Sequence, residues 1–186
     1  DRAGLNLGEG AAYLVLETAE SVQKRGLNPK YVLSGYANKC DAFHQTASSP
    51  EGEGAYLAMR VALETAGLKP TDIHYINAHG TGTPNNDESE GKAILRLFGE
   101  NYPPVSSTKS FTGHTTSASG SIEAVFCLLA LENQFIPKNI HWKTPMEEGI
   151  LPYVKQIQNP SMKHILSNAF GFGGNDSSLI FSKVNE

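Results

Sequence analysis

Ile73-His74-Tyr75-Ile76-Asn77-Ala78-His79-Gly80-Thr81-Gly82-Thr83-Pro84 decides the fold. Its first half, Ile73 to Ala78, is a short apolar run that reads as a strand. The strand ends on His79 and passes into a Gly/Thr turn. Asp87 to Phe98 follows with helical periodicity, after Pro84 and a cap from Asn86 or Asp87. A buried strand, a glycine turn and a helix are one unit of an α/β sheet, and ligand sites gather at the carboxyl ends of such strands. The same unit recurs on both sides. Tyr13 to Glu17 reads as a largely buried strand and Thr18 to Arg25 as a short helix stopped by Gly26. Tyr31 to Ala37 reads as a strand, Asp41 to Pro50 as a polar loop. Glu53 to Ala66 reads as a helix with Ala55, Ala58, Met59, Ala62, Leu63 and Ala66 on one face and Gly67 as its stop. Downstream, Pro104 to Ser107 is a short strand that feeds a loop at Lys109. A strongly apolar helix starts at Ser119 or Ser121 and ends at Asn133, with burial expected on most of its sides. Pro137 to Pro160 is irregular. Two last strands, at Ile165-Leu166 and Ser178 to Phe181, flank the turn Gly171-Phe172-Gly173-Gly174. The expectation is an α/β fold with a sheet covered by helices.

The chain has 186 residues and a net charge of −4, with no long basic block, which argues against nucleic acid as a partner. Its two cysteines, Cys40 and Cys127, lack the spacing of a disulfide framework or a thiolate zinc site. The longest apolar run, near Val125 to Leu131, is too short to span a bilayer. No basic-then-apolar leader opens the sequence, so the expected compartment is the cytoplasm. The opening Asp1-Arg2-Ala3-Gly4, without an initiator methionine, reads as the middle of a longer protein.

Two histidines stand beside glycines at element junctions: His79, and His114 in Lys109-Ser110-Phe111-Thr112-Gly113-His114. Neutral imidazoles offer N–H groups to a developing oxyanion. Near the N-terminus of the apolar helix, the helix dipole would hold His114 neutral. Thr81 and Thr83 either bond a polar chain or cap the following helix. Lys109, taken alone, reads as a solvated loop lysine. Glu123, inside an apolar helix, requires a partner, with Lys109 and His114 the candidates. Asp87 and Glu90 read as an acidic first turn with a capping-box contact. Phe170 and Phe172 line or gate an apolar tunnel, or pack in the core. A zinc site on His79 and His114 has no supporting ligand spacing, and no metal is expected.

These motifs together resemble the C-terminal half of the elongating β-ketoacyl-acyl carrier protein synthases, of the thiolase-like fold. The resemblance rests on Asp1-Arg2-x-Gly4 with Gly8-Glu9-Gly10-Ala11, and on Asn77-Ala78-His79-Gly80-Thr81-x-Thr83-Pro84 with Asp87 and Glu90. It continues in Lys109-Ser110-x-Thr112-Gly113-His114 with Ala118, Gly120, Ile122 and Glu123, and ends in Leu166-Ser167-Asn168-x-Phe170-Gly171-Phe172-Gly173-Gly174. It implies one thiolase-like half over residues 1–186, a five-stranded mixed sheet covered by helices, and a decarboxylating Claisen condensation between an acyl thioester and malonyl-carrier protein. His79 and His114 would stabilise the enolate oxygen, and Lys109 and Glu123 would complete the catalytic set by holding the histidines. Thr81 and Thr83 would bond the phosphopantetheine arm carried by the substrate, with no other cofactor required. Phe172 would gate the acyl pocket with Phe170 packed beside it. The implied partners are acyl carrier protein, the N-terminal half of the same synthase with its nucleophilic cysteine, and a second subunit in a homodimer or heterodimer. Neither Cys40 nor Cys127 occupies the nucleophile motif, so the chain alone should be inactive. Uncovered, its apolar helix should also cause self-association or poor solubility. Asn175-Asp176 departs from the Thr-Asn more usual after the last glycines. Two other readings are a non-catalytic ketosynthase-like partner subunit and a thiolase using coenzyme A. The paired histidines disfavour both.

Overall fold

The computed structural model describes residues 4–146, 157–158 and 160–184. The Asp1-Arg2 part of the first motif and the centre of the 137–160 segment lie outside these residues. The elements in chain order are α1 (Ala19–Lys24), β1 (Tyr31–Cys40), α2 (Glu53–Ala66), β2 (Tyr75–Asn77), α3 (Pro84–Phe98), β3 (Val105–Ser106), α4 (Lys109–Thr112), α5 (Ser119–Asn133), β4 (Phe135–Ile136), β5 (Ile157–Gln158), β6 (His164–Gly171) and β7 (Asn175–Lys183).

Five strands form one mixed sheet in the order β1-β7-β6-β2-β3, and β4 pairs with β5 apart from it. β1 runs antiparallel to β7, and β7 antiparallel to β6, while β6, β2 and β3 run parallel. The parallel part carries no side chain at the surface on β2, where Tyr75, Ile76 and Asn77 are all buried. Such two-sided burial is what parallel strands between helical layers require. Alternate residues feed two cores. Ile76, Leu166 and Ile180 pack under α2 and α3 with Met59, Leu63 and Ile94. Tyr75, Ile165 and Phe181 pack under α5 with Ala124, Cys127 and Leu131.

The α2 face buries Ala55, Ala58, Met59, Ala62 and Leu63, as its periodicity requires, and Gly67 ends it in the left-handed conformation. Small residues let α2 approach the sheet closely. A Cβ on Gly35 of β1 would stand 2.3 Å from the Ala62 carbonyl oxygen and 2.9 Å from Ala66 Cβ. Gly35→Ala is therefore expected to force the helix off the sheet and to destabilise by about 1–3 kcal/mol, read as a lower urea midpoint in the complete protein.

Four expectations need correction. Tyr13 to Glu17 is neither a strand nor buried: Tyr13 and Val15 are each 93% exposed and Leu16 is 72% exposed. Its apolar residues pair with no strand among the described residues, so pattern alone produced extended chain without a ladder. The apolar helix α5 is buried along one stripe, Glu123, Ala124, Cys127, Ala130 and Leu131, and not on most sides; Leu129 is exposed. Lys109 sits in a short helix, not in a loop. The last two strands are longer than their apolar centres, because polar residues such as Ser167, Asn168 and Ser178 are also buried in them.

Candidate active site

His79 follows the carboxyl end of β2, and the pairing of β2 with β3 and β6 brings three strand ends together there. Gly80 turns the chain at φ 50°, and a side chain on it would collide with Ser107. The turn is held from behind by Glu90, on the buried side of α3. Its Oε1 accepts from the His79 N–H (2.9 Å) and from Asn168 Nδ2 (3.0 Å). Its Oε2 accepts from the Gly80 N–H (3.0 Å) and from Asn86 Nδ2 (3.2 Å). Asn168 is fixed in turn by the Ser178 hydroxyl, which donates to its Oδ1 at 2.7 Å. The capping box expected of Glu90 is absent. The carboxylate reaches past the helix end to the histidine loop, and the cap is Thr83, whose Oγ1 accepts from the Asn86 N–H. Burial raises the Glu90 pKa, opposed by the hydrogen bonds from Gly80, Asn168, His79 and Asn86. Glu90 was legible only as an acidic residue in a helix. Its role comes from β6 and α3 meeting behind the turn.

His114 precedes α5, and the 6–8 segment straps it in place. Its N–H donates to the Asn6 carbonyl (2.8 Å) and its carbonyl accepts from the Gly8 N–H (3.1 Å). The rings of His79 and His114 lie edge to face, with centroids 5.4 Å apart and planes at 84°. The Thr116 N–H donates to His114 Nδ1 (3.1 Å), and Ser119 Oγ lies 3.3 Å from the same nitrogen. An Nδ1 that accepts leaves the ring proton on Nε2. Lys109 Nζ stands 3.4 Å from His79 Nδ1. An ammonium can only donate, so His79 also carries its proton on Nε2.

Lys109 is not solvated. It is 8% exposed and forms a buried ion pair with Glu123 Oε1. Glu123 thus finds the first of its two expected partners, while its Oε2 is buried without a hydrogen bond. Burial pushes the Glu123 carboxyl up to about 7 against the pull of Lys109. Burial holds the His79 pKa well below its ordinary value, reinforced by Lys109 and then by His114. Burial and Lys109 likewise lower that of His114. The neutrality expected of His114 is favoured by desolvation and then by the Lys109 ammonium. Both rings are therefore neutral Nε2–H donors at neutral pH.

The remaining candidates divide. Thr81 lines a cleft of about 870 Å³ together with Gly80, Lys109 and His114. Thr81 Oγ1 and Thr83 Oγ1 are 2.9 Å apart, and Thr83 is committed to capping α3. Phe170 is buried in the core and lies against His79, with ring centroids 5.6 Å apart. Phe172, two residues on at the turn between β6 and β7, is 80% exposed. Among the described residues no group of three or more His, Cys, Asp or Glu side chains could hold a metal, and no helix is long and apolar enough to cross a membrane. Cys127 is buried and Cys40 exposed, and among the described residues neither hydrogen-bonds either histidine.

The profile of the family described as beta-ketoacyl synthase, C-terminal domain, matches residues 31–143. A 3-oxoacyl-[acyl-carrier-protein] synthase 2 of Staphylococcus aureus (strain COL) is 45% identical over 98% of this chain, which spans 45% of that relative's length. Among solved structures, the ishigamide ketosynthase/chain length factor superposes with a TM-score of 0.92 at 35% identity, over 100% of this chain and 46% of that one. A ketosynthase in complex with its type II PKS acyl-carrier protein and bound to the hexaketide matches with a TM-score of 0.84 at 32% identity, over 91% of this chain and 42% of that one.

Proposed function

The chain belongs to the family of β-ketoacyl synthase C-terminal domains, and from that membership we propose that it supplies the oxyanion-stabilising half of a condensing enzyme. The reaction is a decarboxylative Claisen condensation between an acyl thioester and malonyl-carrier protein, in fatty acid or polyketide synthesis. The observation that carries this reading is the pair of neutral imidazoles, edge to face, each with Nδ1 engaged so that its ring proton sits on Nε2.

The bond between the malonyl α-carbon and its carboxylate breaks, and carbon dioxide leaves. The electron pair moves into the thioester as an enolate. Two Nε2–H groups from His79 and His114 converge on the enolate oxygen, in a site where burial strengthens both bonds. Neutral donors suit this step, since imidazolium would protonate the enolate and waste the carbanion. The α-carbon then attacks the acyl carbonyl, a new C–C bond forms, and the cysteine thiolate of the N-terminal half leaves. Lys109 fixes the His79 tautomer, and Glu123 holds Lys109. Thr81 faces the cleft and bonds the phosphopantetheine arm. Phe172 gates the acyl pocket.

The proposed partners are the N-terminal half, acyl carrier protein, and a second ketosynthase or chain-length subunit. The exposed run Tyr13 to Leu16 and the uncovered side of α5 offer the N-terminal half an apolar surface. The expected result is that the complete protein decarboxylates malonyl-carrier protein and condenses it with an acyl thioester. A complete protein that binds carrier protein yet never releases carbon dioxide, alone or with a ketosynthase partner, would instead be the non-catalytic subunit.

A further inference from the structure

The turn at 172–174 is fastened to the 41–49 loop. The Gly173 N–H donates to the Gln45 carbonyl (2.8 Å), the Asp41 N–H donates to the Gly174 carbonyl (3.3 Å), and Cys40 Sγ lies 3.4 Å from the Gly173 carbonyl. With Phe172 exposed, these contacts and not burial of its own side chain fix the turn. Asp41 shapes the loop side of this seam. Its Oδ1 accepts from the Phe43 N–H (3.1 Å) and its Oδ2 from the Ser49 N–H (2.9 Å). Its Oδ1 also lies so near Gly174 that a Cβ there would stand 2.3 Å away.

Directly behind the turn stands Asp176, only 2% exposed. Its carboxyl rests on the backbone of Gly54 in the first turn of α2. A Cβ on Gly54 would meet Asp176 Oδ2 at 1.9 Å and Asp41 Cβ at 2.9 Å, so the two acids crowd one spot. The charged groups around it are mostly of its own sign. Asp41 faces it from the loop and Glu90 from α3. Glu53 opens α2 but is paired outward with Arg96, and Lys39 is its register neighbour on β1. Burial, then Asp41 and Glu90, raise the Asp176 pKa to about 7 from an ordinary 3.8.

We propose that Asp176 is a positioning residue whose proton decides how firmly the Phe172 turn is held against the Asp41 loop. The inference rests on the reading of Phe172 as the gate of the acyl pocket. A neutral Asp176 lies quietly beside the Asp41 carboxylate. Once it ionises, its buried negative charge presses on the half-buried Asp41. Asp176 itself cannot retreat, because its strand is laddered on both sides, to Lys39 and to Phe170. The yielding part is the seam between loop and turn. An asparagine here would be neutral at every pH. This chain has a titrating group instead.

Sign follows from linkage. The fastened state binds the proton with a pKa of about 7, while an opened, solvated Asp176 returns toward 3.8. Between those values opening becomes easier by about tenfold per pH unit, and above the upper value the effect is complete. The test is amide hydrogen exchange at Gly173 and Asp41 in the complete protein, corrected for intrinsic exchange. Protection is expected to fall about 50-fold from pH 5 to pH 7 and about twofold more before it levels off. Asp176→Asn should give a flat profile, and Asp41→Asn should move the upper limit to lower pH. A flat wild-type profile, or an Asp176→Asn profile with the wild-type slope, overturns the inference. Exchange is read without turnover, so a protein that fails to decarboxylate malonyl thioester yet shows this profile sinks the proposed reaction and leaves the latch.

Discussion

Replacing His114 with alanine in the complete protein is expected to slow malonyl-carrier protein decarboxylation by about 100- to 1000-fold, the loss typical of one oxyanion donor. His79→Ala should cost the same or more. That ring is the more deeply buried of the two and faces both Phe170 and Lys109. The double variant should be little worse than either single one, because one remaining N–H no longer fixes the oxygen. The fall should appear in kcat with KM little changed, since ground-state thioester needs these donors less than enolate does. Carbon dioxide release is the measurement. Decarboxylation that survives both changes at the wild-type rate would remove the oxyanion role.

Glu90→Ala is expected to destabilise by about 3–5 kcal/mol, the range for breaking a buried charged network from one side. It orphans the His79 and Gly80 N–H groups and the amides of Asn86 and Asn168 together. Glu90→Gln keeps the volume but turns an NH2 toward two backbone donors, so it should lose stability by a smaller margin and still displace His79. Urea unfolding reads the first effect. The second appears as a fall in kcat in protein that remains folded at low temperature. A Glu90→Gln protein with wild-type stability and turnover would mean that the His79 turn holds itself.

Most of the sheet was legible because its strands announce themselves by burial. β2 is a short apolar run ending on the histidine, and α2 shows its apolar stripe and its glycine stop. The five-stranded mixed sheet was implied by the resemblance, and its strand order was not legible, since pairings between residues about ninety positions apart leave no local trace. The two histidines were legible from their glycines, and Glu123 from the cost of a carboxylate in an apolar helix. Lys109 misled when taken alone: a Ser/Thr setting says solvent, and only α5 crossing above it supplies the buried carboxylate. Glu90 misled for a related reason, as its helix position predicts a cap while its partners belong to other elements. Tyr13 to Glu17 misled in the opposite sense. Its pattern asks for burial, and nothing among the described residues provides it.

The parallel pairing of β2 with β6, Tyr75 opposite Ile165, sets a timetable for the nascent chain. β2 gains β3 after about thirty residues but waits for about ninety to leave the ribosome before its second neighbour, β6, exists. Meanwhile α2 and α3 already display apolar stripes with only part of their floor. Loop closure of that span is entropically expensive and comes late. Hydrophobic surface therefore stays available to chaperones, or to aggregation, through most of synthesis.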